Sequence, residues 1–144
     1  MAVSFEAFTP GASFDSPERL VDDAMIRDAV RLGGYTHPLF TDPAYAARSA
    51  LGARPLPGEA VLLLMGGLAE QTERFGEDVI ALTGFDDVRF HRPVVAGDVV
   101  KLRVEVAERT EPEPGRGAVA MRWTFARADG TVVCTAIARM LFAR

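Results

Sequence analysis

The apolar positions of the chain follow a helical spacing first and a strand spacing afterwards. From Asp22 to Leu32, Met25, Ile26, Ala29 and Val30 recur three and four apart, on one face of a helix that Gly33 and Gly34 end. The stretch "DPAYAARSALG" is a second helical piece, with Pro43 in its first turn and Gly52 past its end. Pro55, Pro57 and Gly58 form a rigid entry to a third. There Val61 to Met65 are apolar all round, which predicts a helix over Ala60–Phe75 whose first turns are buried on every side.

Beyond that helix the period becomes two. "DVIALTGF" and "VRFHRPV" lead into a run where Val100, Leu102, Val104 and Val106 alternate with Lys101, Arg103 and Glu105. Strands are predicted over Val99–Glu108, Ala118–Ala128 and Val132–Phe142, with Asp129 and Gly130 turning the chain into the last. "RTEPEPGRG" is polar and proline-rich, and reads as a solvated connection. One long buried helix followed by four or five antiparallel strands is an α+β layout, the sheet wrapped against the helix.

Composition narrows the functional classes. A chain of 144 residues with 49% hydrophobic and 25% charged residues suits one folded domain spanning 1–144. A net charge of −4 and the lack of any basic run argue against a nucleic-acid partner. Cys134 is the only cysteine, so an intramolecular disulfide and a thiolate metal cluster are excluded; neither metal nor cofactor is expected. The start, "MAVSFEAFTPG", does not read as a signal peptide, and the longest apolar run is about half of the ~20 residues a membrane span needs. A cytoplasmic protein with no membrane partner is expected.

Three segments in order carry a family resemblance: "GGYTHPLFTDPAYA", then "GARPLPG" heading a buried helix, then "VRFHRPVVAGDVVKLRVEV". From about Asp22 to the C-terminus the chain resembles the MaoC-like (R)-specific enoyl-CoA hydratase/dehydratase family. The resemblance implies a hotdog fold, an acyl thioester of CoA or a carrier protein as ligand, and a homodimer with the active site between subunits. The family loop usually reads Gly-Asp-x-Asn-Pro-x-His-x-Asp, and its aspartate and histidine activate the water that adds to an enoyl thioester. With Pro38 and Asp42 as anchors, the glycine falls on Gly34, the aspartate on Tyr35, the asparagine on His37 and the histidine on Phe40. The family's His-Gly at the head of the central helix becomes Pro57 and Gly58, of which the glycine is the one expected to polarise the thioester carbonyl.

Chemistry at this loop has to be reassigned. A phenol with a pKa of about 10 is a poor base at neutral pH, though it donates a hydrogen bond, and Phe40 does neither. His37, Glu59 and Asp42 are left as candidates to activate water. Tyr35 and His37 are two apart in a segment that Pro38 biases toward extension, so both are expected to face one cavity, opposite the Gly58 N–H, with Phe40 and Pro57 as apolar wall. Each has a structural alternative: His37 as a loop hydrogen-bonder, Glu59 as a charge at the helix dipole, Asp42 as an N-cap. Gly66 and Gly67 cost about 1 kcal/mol each against alanine inside a helix, which suggests close approach of a backbone or an acyl chain, or else a local bend. The expected activity is hydratase or dehydratase with a non-standard catalytic set. A hotdog acyl-CoA thioesterase and a non-catalytic acyl-binding or partner subunit are the alternatives.

Overall fold

The computed structural model describes residues 5–144. After a short 3₁₀ turn at Phe5–Ala7, the elements run β1 (Ser13–Asp15), β2 (Arg19–Leu20), α1 (Asp23–Gly33), α2 (Pro38–Thr41), α3 (Pro43–Arg48) and α4 (Gly58–Glu70). Four long strands follow: β3 (Val79–Phe90), β4 (Val99–Glu113), β5 (Arg116–Arg127) and β6 (Val132–Ala143). They form one antiparallel sheet in the order β1-β4-β5-β6-β3, with β2 also on β4. This is the expected hotdog arrangement, α+β, with α4 against the sheet.

The alternation in β4 and β5 resolves into inward Val100, Leu102, Val104 and Val106 facing outward Lys101, Arg103 and Glu105, and Met121, Trp123 and Phe125 on the neighbouring strand. Val61, Met65, Leu68 and Ala69 of α4 and Ile26 and Val30 of α1 close the same core. Phe8, with no part of its surface exposed, fills one end, 5.0 Å from Phe142 and 5.3 Å from Phe75 between ring centroids. Cys134 lies in this core, where burial pushes its thiol up to about 11, so it packs as a small apolar group.

Several expectations need correction. The central helix runs Gly58–Glu70, not to Phe75: the amides of Thr72 and Glu73 turn back three residues to Ala69 and Glu70, and Glu73 is left-handed at φ 61°. Nor is it buried on every side, since Leu63 is 65% exposed while Met65 is 0%. The polar "RTEPEPGRG" is no loose connection. β4 and β5 pair through it, Glu113 opposite Arg116, around a turn at Pro114 and Gly115. Backbone pairing does not require apolar side chains, and Pro112 falls at a register shift beyond Glu105, the last β4 residue that β1 covers. The first of the two segments ahead of β4 and the start of the second form one strand, β3, ending at Phe90, in which Asp86 and Asp87 make a bulge, with Asp87 at φ 51°. The sheet has six strands because β1 and β2 add to β4. Between them Pro17 follows Ser16, whose hydroxyl accepts from the Leu102 N–H at 2.9 Å and keeps the edge joined.

Candidate functional site

Two glycines place the first candidate side chain. Gly34 ends α1 at φ 71°, and the Tyr35 N–H returns to the Val30 carbonyl at 3.1 Å, which closes the helix and turns the chain sharply. The Tyr35 ring then lies on Gly33, where a Cβ would sit 2.5 Å from Cε2. Only glycine fits there without displacing the ring. Phe40 packs on Tyr35 with centroids 5.1 Å apart.

The second comes from the head of α4. Pro55 bridges Val95, and the Leu56 N–H donates to the Val94 carbonyl at 2.7 Å, so the entry is fixed to the segment ahead of β4. Pro57 caps the helix with no side-chain bond; its carbonyl takes the N–H groups of Ala60 and Val61, while that of Gly58 donates to no group among the described residues. Phe90 covers Gly58, its Cζ 3.3 Å from where a Cβ would be. Glu59 projects from the first turn and its Oε1 accepts a 2.6 Å hydrogen bond from the Tyr35 hydroxyl.

That bond sets both groups' protonation. It is the largest cause holding the Glu59 carboxyl below its ordinary value, aided by the residue's own N–H and opposed by desolvation. The same bond, then desolvation and the Glu59 charge, raises the Tyr35 phenol. At neutral pH the pair is a carboxylate accepting from a phenol.

Glu59 also stands at one end of a cavity of about 860 Å³ between α4 and the sheet. Glu59, Leu62, Leu63, Gly66, Gly67 and Glu70 line it, a single stripe along the helix, with Phe85, Trp123 and Met140 below. Tyr35 reaches its rim through Glu59. Gly58 faces a smaller cleft of about 240 Å³ with Phe90, His91 and Arg92.

The remaining candidates lie apart from the pair. His37 caps α2, its Nδ1 accepting from the Leu39 N–H at 3.0 Å, and its ring meets Tyr45 edge-on. The ring nitrogen nearest the backbone is thus engaged as a helix cap, the structural role weighed for this residue. Tyr35, His37 and Phe40 line neither cavity, in contrast to the expectation that Tyr35 and His37 would share one opposite Gly58; Tyr35 touches the larger cavity only through its bond to Glu59. Asp42 caps α3, its Oδ1 accepting from Ala44 and Tyr45 N–H groups. Pro57 is buried at the head of α4. The sequence did not single out Phe85, Phe90, Trp123 and Met140 as lining residues; of these Trp123 is buried, Phe85 and Met140 are half-buried and Phe90 is exposed, and only the fold brings them beside a cavity. Among the described residues no cluster of three or more metal-ligating side chains occurs.

The antiparallel sheet packed on the central helix α4, with Glu59 at the end of the larger cavity and Gly58 in the smaller cleft beside it, defines a hotdog domain. Within that class the chain belongs to the MaoC like domain family, whose pattern matches residues 5–122 and so takes in β1 and β2 ahead of Asp22. It is 32% identical over 127 residues to the 3-hydroxyacyl-[acyl-carrier-protein] dehydratase FabZ of Anaeromyxobacter dehalogenans strain 2CP-1, covering 83% of this chain and 74% of that one. Over 73 residues it is 38% identical to the FabZ of Anaeromyxobacter sp. strain K, covering 51% of this chain and spanning 43% of that relative's length. Among solved structures, the monoamine oxidase regulatory protein of Archaeoglobus fulgius superimposes with a TM-score of 0.91 at 28% identity, covering 100% and 97% of the two chains. The R-hydratase PhaJ1 of Pseudomonas aeruginosa shares the fold, with a TM-score of 0.77 at 24% identity, over 98% of this chain and 85% of that one.

Proposed function

We propose that this protein hydrates enoyl thioesters, and in reverse dehydrates 3-hydroxyacyl thioesters, with the Tyr35–Glu59 pair performing the proton transfers. The 2.6 Å bond between them, at the end of an apolar cavity and beside an uncapped helix N-terminus, carries this reading. Family membership and the FabZ relatives support the reaction class. The substrate is an acyl thioester of CoA or of a carrier protein.

Hydration then runs in three linked transfers. The Glu59 carboxylate takes a proton from water as the oxygen bonds to the β-carbon. Charge moves onto the thioester oxygen, which the Gly58 N–H and the helix dipole stabilise. Tyr35 gives its proton to the α-carbon, and the proton on Glu59 passes along the hydrogen bond to restore the phenol. The lowered Glu59 and raised Tyr35 values make each a weaker base and acid than an ideally matched pair, which predicts slow turnover. Phe40 holds the Tyr35 ring; on the family resemblance, Tyr35 and Phe40 occupy the usual aspartate and histidine positions.

A thioesterase is the second reading, favoured by an ionised Glu59 one residue from a free N–H that would hold a carbonyl under attack. Crotonyl-CoA and saturated acyl-CoAs, with double-bond absorbance and free thiol followed separately, distinguish the two. Glu59→Gln and Tyr35→Phe are each expected to lower hydration by about 100-fold or more. Loss of thiol release instead, with no hydration by the wild type, establishes the thioesterase, and inactivity in both assays leaves a binding subunit. The free edge of β3, with Ile80, Leu82 and Phe90 exposed beside Leu63 of α4, is the surface along which two copies would pair. No helix among the described residues is long and apolar enough to cross a membrane, and the proposed site of action is the cytoplasm.

A further inference from the structure

Gly66 and Gly67 have no structural reason in this chain to be glycine. Both sit inside α4, neither has a left-handed φ, and a Cβ built on either meets nothing within 4 Å. Alanine would favour the helix at both positions. The space they leave belongs to the large cavity, and it lies on the stripe that begins at Glu59.

We infer that this glycine pair is the specificity determinant for acyl length, and that the preferred ligand is an unbranched medium-chain acyl thioester of about eight to ten carbons. The inference rests on the acyl-thioester reading above. On its sheet side the cavity is lined by Trp123, 3% exposed, and by Phe85 and Met140, an apolar wall facing the glycine stripe. From Glu59, which the mechanism places at the β-carbon, to Gly66 is seven residues, about 10.5 Å along the axis at 1.5 Å each. A zigzag of ~1.5 Å carbon–carbon bonds advances roughly 1.25 Å per carbon, so about eight carbons cover that distance and, with the two carbons ahead of the β-carbon, a chain of about ten reaches the glycines. One turn further on the lining turns polar at Glu70, which opposes a longer alkyl chain. Each glycine removes a methyl from the wall at the depth where the outer half of such a chain lies.

Trp123 is the sole tryptophan and lines this cavity, so its fluorescence reports occupancy independently of turnover. The experiment titrates saturated acyl-CoAs and acyl-pantetheines of four to fourteen carbons into wild type, Gly66→Ala and Gly67→Ala. Binding is expected to tighten up to eight or ten carbons and to weaken at twelve. Gly67→Ala should weaken the ten-carbon ligand by about tenfold or more, as one misfitting methylene does, and leave the four-carbon ligand within about twofold. The same variant should melt about 3 °C higher, because alanine replaces glycine in a helix without a clash. Light scattering runs beside it, with dimers near twice the 15.6 kDa chain mass expected for all three proteins. A length profile that is flat, or unmoved by both substitutions, overturns the inference. Loss of the dimer in Gly67→Ala with an unchanged profile also overturns it, and assigns the glycines to helix contact between copies. If no acyl ligand of any length binds the wild type, the acyl-thioester reading itself fails, a result distinct from a flat profile.

Discussion

The two faces of α4 are made of similar residues and meet different fates. On one, Val61, Met65, Leu68 and Ala69 recur at helical spacing and lie against the sheet, each no more than 3% exposed. On the other, Leu62, Leu63, Gly66 and Gly67 are framed by Glu59 and Glu70 and border a void. The first face is covered by this chain's own sheet, whereas the second borders open space. Apolar character alone therefore states that a surface is to be covered, not by what.

Substitution on the packed face should damage stability and spare chemistry. Met65→Ala removes a fully buried side chain and leaves a hole in the core, at an expected cost of 2–5 kcal/mol (about the usual range) in urea unfolding. Leu63→Ala on the open face should stay within about 0.5 kcal/mol when measured on the monomer at low concentration. Equal losses at the two positions would mean that the open face is packed after all.

His37 supplies a milder contrast with Glu59, since both were candidates for activating water. Its Nδ1 caps α2, so His37→Ala should cost about 1 kcal/mol of stability, as lost caps do, and change hydration by no more than about threefold. A loss of 100-fold in turnover, with affinity for acyl ligand unchanged, would return His37 to the role of base.

These contrasts mark what could be read from the chain alone. The inward set of β4 and β5 was legible because alternation maps directly onto a half-buried sheet. Bulges are less so: Asp86 and Asp87 look like a break between strands, yet β3 continues through them with one residue in the left-handed region. Phe5 and Phe8 carry no period, so their burial at the end of the core is visible only in the fold. Tyr35 and Glu59 could each be named from sequence. Their bond, across 24 positions, depends on Gly33 making room for a ring and on Pro55 fixing the head of α4. Both requirements are tertiary, and neither glycine nor proline announces its neighbour.

The smallest expected effect tests that bond most directly, and it needs no turnover. Glu59 is held below its ordinary value of 4.5 chiefly by the Tyr35 hydroxyl. In Tyr35→Phe that cause is gone while the residue's own N–H and the opposing desolvation remain, so a carbon-13 NMR titration of the Glu59 carboxyl should move upward toward 4.5. The linked effect on stability has a fixed sign. A carboxyl whose folded value lies below its unfolded one stabilises the fold above the unfolded value, and loses that contribution as pH falls through the folded value. The stability advantage of wild type over Tyr35→Phe should therefore be present at pH 6 and shrink on acidification below 4.5. Tyr35 itself, raised above 10.0 by the same bond, keeps its contribution below that value and loses it as pH rises through the higher folded value. An unmoved Glu59 titration in Tyr35→Phe would show the two groups uncoupled in solution, and would leave the open face of α4 with a helix terminus and a cavity but no proton relay.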